Sequence, residues 1–114
     1  MLYLMKTKEG DACIVDEQES GDFILKAKSM SESSLSSYQI NDALSSTTIS
    51  HFLKDKLFYQ ATLVSEFENK NTFVEIYKTR DLSGYYQVVA NGVIRHPDVD
   101  AEGAIRATCF YSNA

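Results

Sequence analysis

The chain has no tryptophan, one proline, five glycines, two cysteines and two histidines. Each scarcity closes a class of answer. So little proline and glycine excludes collagen-like repetition and linker-rich architecture, which need those residues in quantity. The cysteines, Cys13 and Cys109, stand near opposite ends of the sequence and outside any CxxC pair, so no zinc module is indicated. Both have apolar neighbours (Ala12, Ile14 and Val15; Ala107 and Phe110) and are expected as buried small hydrophobes in a reducing compartment. No hydrophobic run approaches bilayer-crossing length. The opening Met1-Leu2-Tyr3-Leu4-Met5 is followed at once by Lys6 and Lys8, too short for a signal-peptide core and with the charge on the wrong side, so a cytoplasmic location is expected.

Catalytic signatures are missing too. There is no GxSxG, no cysteine-centred nucleophile motif and no HExxH, and Gly10, Gly21, Gly84, Gly92 and Gly103 never cluster into a phosphate-cradling loop. No cofactor is expected. His96, Asp98 and Asp100 alternate, which on an extended backbone puts an imidazole and two carboxylates on one side, the disposition a metal site uses. Acidic residues beside Pro97 at a helix start are also what the helix dipole favours, so capping rather than a metal is the expectation.

Positive charge is in deficit, with 11 Lys and Arg against 16 Asp and Glu, a net charge of −5. Affinity for phosphate backbones comes from cationic side chains displacing counterions, so direct nucleic-acid binding is disfavoured. The acidity is concentrated: Glu9, Asp11, Asp16, Glu17, Glu19 and Asp22 follow one another with no Lys or Arg between them, which suits a basic partner.

Hydrophobic residues are plentiful, at 44% of 114 residues, enough to bury the core of a single domain over residues 1–114. Three short strands are expected at Leu2 to Thr7, Ala12 to Asp16 and Asp22 to Lys28, the third with Phe23, Leu25 and Ala27 on one apolar face. A serine-rich segment from Ser29 to Ser50 follows. Leu35, Tyr38, Ile40, Ala43 and Leu44 recur there at helical spacing, predicting a helix over about 32–44 that Ser31 caps. Thr47 or Thr48 caps a second, brief helix towards Lys56. Leu57 to Phe67 and Thr72 to Thr79 flank the turn signal Glu68-Asn69-Lys70-Asn71 and read as an antiparallel hairpin. Tyr85 to Ala90 and Val93 to Arg95 flank Asn91-Gly92, the strongest hairpin cue in the chain, because a tight I′ turn needs positive φ at both central positions. Ala101, Ala104, Ile105, Thr108 and Cys109 form the apolar stripe of a last helix, with Asp98 or Asp100 as its cap. The expected fold is α+β: an antiparallel sheet, made of the N-terminal three strands and the C-terminal meander, packed against a central helical segment and a C-terminal helix.

From about Thr48 onward, the predicted helix–strand–strand–strand–helix order superficially resembles that of a double-stranded RNA-binding domain. That family carries a basic run at the start of its last helix, whereas Asp98, Asp100 and Glu102 stand there in this chain, so none of its residues is carried over.

These observations lead to a non-catalytic protein-binding module, a small acidic inhibitor that covers the basic, nucleic-acid-binding surface of a larger protein or nucleoprotein complex. Immunity proteins against nuclease toxins and phage counter-defence proteins share that profile as a class. The residues expected at the interface are Asp16, Glu17, Glu19, Glu66, Glu68 and Glu75, with Tyr77, Tyr85 and Tyr86 as aromatic anchors. Glu66, Glu68 and Glu75 also read as cross-strand surface charge balanced by Lys70 and Lys78. Two alternatives stand beside it. One is an enzyme or ligand-binding domain with His51, His96 and Asp98 in a pocket between sheet and helix; the other is a homo-oligomer, a homodimer included, paired through strand edges.

Overall fold

A computed structural model of the chain describes residues 1–6, 12–29, 39–40, 43–44, 58–80 and 85–113. Within them lie β1 (Leu2–Lys6), β2 (Ala12–Glu17), β3 (Phe23–Ser29), β4 (Gln39–Ile40), β5 (Ala43–Leu44), β6 (Phe58–Asn69), β7 (Thr72–Thr79), β8 (Tyr86–Ala90), β9 (Val93–Val99) and a helix, α1 (Ala101–Ser112). The strands follow the order β2-β1-β6-β7-β8-β9-β3, and β3 pairs back onto β2, so seven of them close a barrel. Every neighbour in this ring is antiparallel except β3 and β9, which run parallel and meet, among the described residues, through Lys28↔Val93 and Ser29↔Ile94. The β4–β5 hairpin is attached to the start of β3, at Phe23 and Ile24.

Closure overturns the expected α+β layering. The sheet covers its own apolar face, and α1 is the only helix among the described residues. The helix expected over 32–44 fails where it can be judged, because Gln39–Ile40 and Ala43–Leu44 are strands and Ala43 and Leu44 pair with β3. Strand pairing with an apolar wall outweighed a weak helical recurrence. Residues 32–38, the brief helix expected towards Lys56, and His51 lie outside the described residues.

The barrel is filled by Leu4, Ala12, Ile14, Ala27, Ala61, Tyr77, Val89 and Ile94, all buried. The small Ala12, Ala27 and Ala61 leave room for the Tyr77 ring in a narrow interior. Thr79 and Gln87 are also buried, and Gln87 Nε2 donates to Thr79 Oγ1 at 2.9 Å, while Gln87 Oε1 has no partner. Outside the wall, Met5, Cys13 and Val15 are buried against Tyr3, Phe23, Leu25 and Phe58, with the Tyr3 and Phe58 rings stacked at 4.4 Å. The first two strands are therefore apolar on both faces. A register shift between Ile14 and Val15 leaves Lys26 opposite no residue of β2, so Leu25 joins the outer cluster while Ala27 enters the barrel. The single apolar face expected for Phe23, Leu25 and Ala27 is thus divided by a bulge.

Across β7–β9, Val74, Ile76 and Val88 lie outside the barrel under α1, which presses Ala104 and Ala107 onto them. Asp100 caps the helix, its Oδ1 accepting from the Gly103 amide at 2.7 Å. A Cβ on Gly103 would sit 3.0 Å from Val99 Cβ, so the glycine permits the chain to fold back directly from β9 into the helix. At the other end Asn69 Nδ2, from β6, donates to the carbonyls of Tyr111 and Ser112 at 2.7 and 3.1 Å. These two attachments run α1 alongside the wall. Ile105 and Cys109, expected on the buried stripe, are exposed instead, because the helix turns its smaller residues inward.

Asn91 and Gly92 have φ of 51° and 77°, the left-handed pair that a I′ turn requires. Asn91 also ties two turns together: its Oδ1 accepts from the Phe73 amide at 2.8 Å and its Nδ2 donates to the Asn71 carbonyl at 3.3 Å.

Candidate functional site

One end of the barrel is formed by the start of β1, the end of β2, the outer half of β6 and the start of β7. In-register neighbours project to the same face of a sheet, and alternate residues return to it. Leu63 and Tyr77 are paired and face inward, so Glu75, two residues before Tyr77, and its partner Glu66 line the same face nearer the rim. Asp16 follows the inward Ile14 by two residues and pairs with Leu2 and Ile24. Three carboxylates from three strands thus converge on the mouth.

Tyr77 reports that convergence. Its ring is buried, its hydroxyl donates to Glu75 Oε2 at 2.9 Å, and burial pushes the phenol well above its ordinary range. The Glu75 hydrogen bond and the negative charges of Glu75, Glu66 and Asp16 push it the same way. The phenol remains a neutral donor that orients Glu75.

Compensation among the described residues is slight. Asp16 Oδ1 lies 3.2 Å from the amino-terminal ammonium of Met1, and among the described residues no Lys or Arg forms an ion pair with Glu66 or Glu75. The expected balance by Lys78 is not made: its ammonium stands 5.5 Å over the Tyr86 ring, on the outer face under the edge of α1. Lys70 occupies the β6–β7 turn with φ of 55°.

The remaining interface residues divide. Glu17 and Glu19 are exposed where β2 turns into β3, at the same end of the barrel, and Glu68 is exposed opposite Phe73 at the tip of the β6–β7 hairpin. Tyr85 and Tyr86 are at the opposite end, where β8 begins. Tyr85 is exposed, while Tyr86 is half-buried in the cluster under α1. The expected single surface of carboxylates beside three tyrosines therefore resolves into an acidic mouth holding Tyr77 and a separate aromatic edge. Two exposed apolar residues of the mouth were missed: Ile24, in register with Asp16, and Phe73, in register with Glu68. Each sits beside an acidic partner, a pairing that only the register reveals.

The alternative pocket residues are placed as follows. His96 is exposed on β9, and Asp98 binds the ammonium of Lys6 at the end of the barrel away from the mouth. Asp100 is engaged as the cap of α1. A cleft of about 140 Å³ opens elsewhere in the wall, lined by Leu25, Lys26, Ala27, Lys28 and Gly92 beside the short β3–β9 contact. No helix among the described residues is long and apolar enough to cross a membrane. No protein-family model, curated protein or solved structure matches the chain.

Proposed function

We propose that this chain is a non-catalytic binding module whose acidic barrel mouth engages a basic surface of a larger protein or nucleoprotein complex, where its carboxylates stand in for nucleic-acid phosphates. The observation that supports this reading above the others is Glu66 in register with Glu75, above the buried Tyr77 hydroxyl and near Asp16. Like charges directly opposite one another on a sheet destabilise it. Their placement with no ion-paired Lys or Arg among the described residues is understandable if an incoming Lys or Arg completes the site. Ile24 and Phe73 offer apolar rests for the aliphatic stem of such a side chain.

The test is affinity capture from the native host at low ionic strength with mass-spectrometric identification, using the chain and its Glu66→Gln/Glu75→Gln variant in parallel. The reading expects a basic protein that is recovered by the parent chain, released as salt rises, and depleted at least about tenfold with the variant. Equal recovery by both would remove the mouth from the interface. Recovery of no protein by the parent chain would remove the binding module itself.

A further inference from the structure

β6 outruns its neighbour on one side. β1 accompanies it from Met5↔Phe58 to Leu2↔Ala61, and past Ala61 no strand among the described residues pairs with that edge. On the other side β7 follows β6 as far as Asn69↔Thr72. Val64, Ser65, Glu66 and Glu68 are exposed along the stretch that β1 leaves uncovered.

Which main-chain groups reach this edge follows from the far side of the hairpin. Phe73 turns both of its own towards Asn91: its amide donates to Asn91 Oδ1 and its carbonyl accepts from the Asn91 amide, each at 2.8 Å. Phe73 and Glu68 are therefore a non-hydrogen-bonded pair of the β6–β7 ladder, and Glu68 directs its amide and carbonyl away from β7, to the open edge. The register runs unbroken through Glu66↔Glu75, Phe67↔Val74 and Glu68↔Phe73, so Glu66 does the same. Both carboxylates lie on the mouth face. The residues that offer hydrogen bonds along this edge are thus the acidic ones.

We infer that the edge receives an extended basic segment of the partner, which adds to β6 as an antiparallel strand in line with β1 and carries Lys or Arg at alternate positions. The inference rests on the proposed function and names the element that the mouth engages. Partner residues opposite Glu66 and Glu68 exchange main-chain hydrogen bonds with them, and their side chains stand on the mouth face beside the two carboxylates. Intervening residues lie on the outer face next to Phe67, which is half-buried beside α1, and suit apolar side chains. Charge selects this occupant. A second copy of β6 would set glutamates against glutamates across the new ladder, which like-charge pairing opposes, whereas a basic strand finds an opposite charge at every residue that bonds to the edge.

A synthetic peptide of about eight residues, Lys alternating with Val or Thr, is the probe, added to the full chain at low ionic strength. Saturable binding is expected, with hydrogen exchange at the Glu66 and Glu68 amides slowed at least about tenfold. Methylating the backbone nitrogens of the lysines removes the donors aimed at β6 and leaves the charge unchanged, and should weaken binding at least about tenfold. Methylating the intervening nitrogens, which face away from β6, should leave affinity as it was. Equal affinity of the two methylated peptides, or unslowed exchange at Glu66 and Glu68 in the bound state, overturns strand pairing. If such binding is still lost with Glu66→Gln/Glu75→Gln, the acidic mouth stands as a binding surface without the added strand; if it is indifferent to those substitutions too, both readings fail. No peptide binding at low ionic strength overturns the added strand even where affinity capture recovers a basic protein.

Discussion

Glu66 and Glu75 stand directly opposite each other on β6 and β7, two carboxylates in register at the rim of a closed barrel. The placement trades stability for charge density. Replacing Glu66 with Lys exchanges a repulsive cross-strand pair for an attractive one and should stabilise the fold by roughly 0.2–1 kcal/mol, read as a higher denaturant midpoint at unchanged slope. The same substitution should weaken partner capture. A lower midpoint would show that the two side chains do not interact as their register implies.

Tyr77→Phe tests the floor of the mouth. It removes the hydroxyl that holds Glu75 and should cost about 0.5–1.5 kcal/mol, the usual net worth of one hydrogen bond. An unchanged melting curve would mean that water replaces the phenol without loss.

Alkaline titration should destabilise the protein through two buried acids. Burial raises the Cys13 thiol from 9.0 to about 12, and raises the Tyr77 phenol in the same direction. Between pH 9 and 12 the unfolded chain has lost the thiol proton while the folded chain keeps it. The folded state binds more protons there, so stability is complete below pH 9 and falls as pH rises, by at most about 1.4 kcal/mol per pH unit from this group. Urea unfolding at stepped pH should show a shallower decline for Cys13→Ala, whatever its loss of baseline stability. Parallel curves for variant and parent would assign the decline to other groups.

Inside the barrel, Gln87 gives one hydrogen bond to Thr79 and leaves its carbonyl oxygen unpaired. Thr79→Val strands the amide nitrogen as well and should cost about 1–3 kcal/mol. Adding Gln87→Met removes both polar ends at similar volume and should recover most of that loss. A double-mutant cycle in denaturant measures the coupling, and additive losses would mean that the pair is not a unit.

Strands defined by local chemistry were legible from the sequence, and closure was not. Asn91-Gly92 announced its turn because few other residues take positive φ twice in succession, and Thr72 to Thr79 announced β7 through its β-branched and aromatic residues. The barrel depends on β3, already paired locally with β2, also meeting β9, a long-range event with no local signature. Alternation misled where a bulge intervened, so Ala27 left the face of Leu25. In α1 the helical period was right and the inward face was wrong, because alanines allow closer approach to β7 and β8 than Ile105 does. The candidate site was half legible. Asp16, Glu66, Glu75 and Tyr77 meet, but Tyr86, in register with Lys78 beside Tyr77, turns to the outer face under α1, and Tyr85 is exposed before β8 begins, a division of faces that composition cannot express.

The two-pair contact between β3 and β9 also sets how the ring comes apart. Among the described residues the other neighbours are stitched by four to eight register pairs, so this seam is the clasp. Thermal fluctuation should part it before any other joint, turning the cylinder into an open ribbon whose newly bared edges are β3 and β9. Backbone amides bordering the clasp, that of Lys28 with its bond to Gly92 among them, should trade hydrogen for deuterium sooner than those of β7. What keeps the molecule a cylinder is thus its least fastened junction.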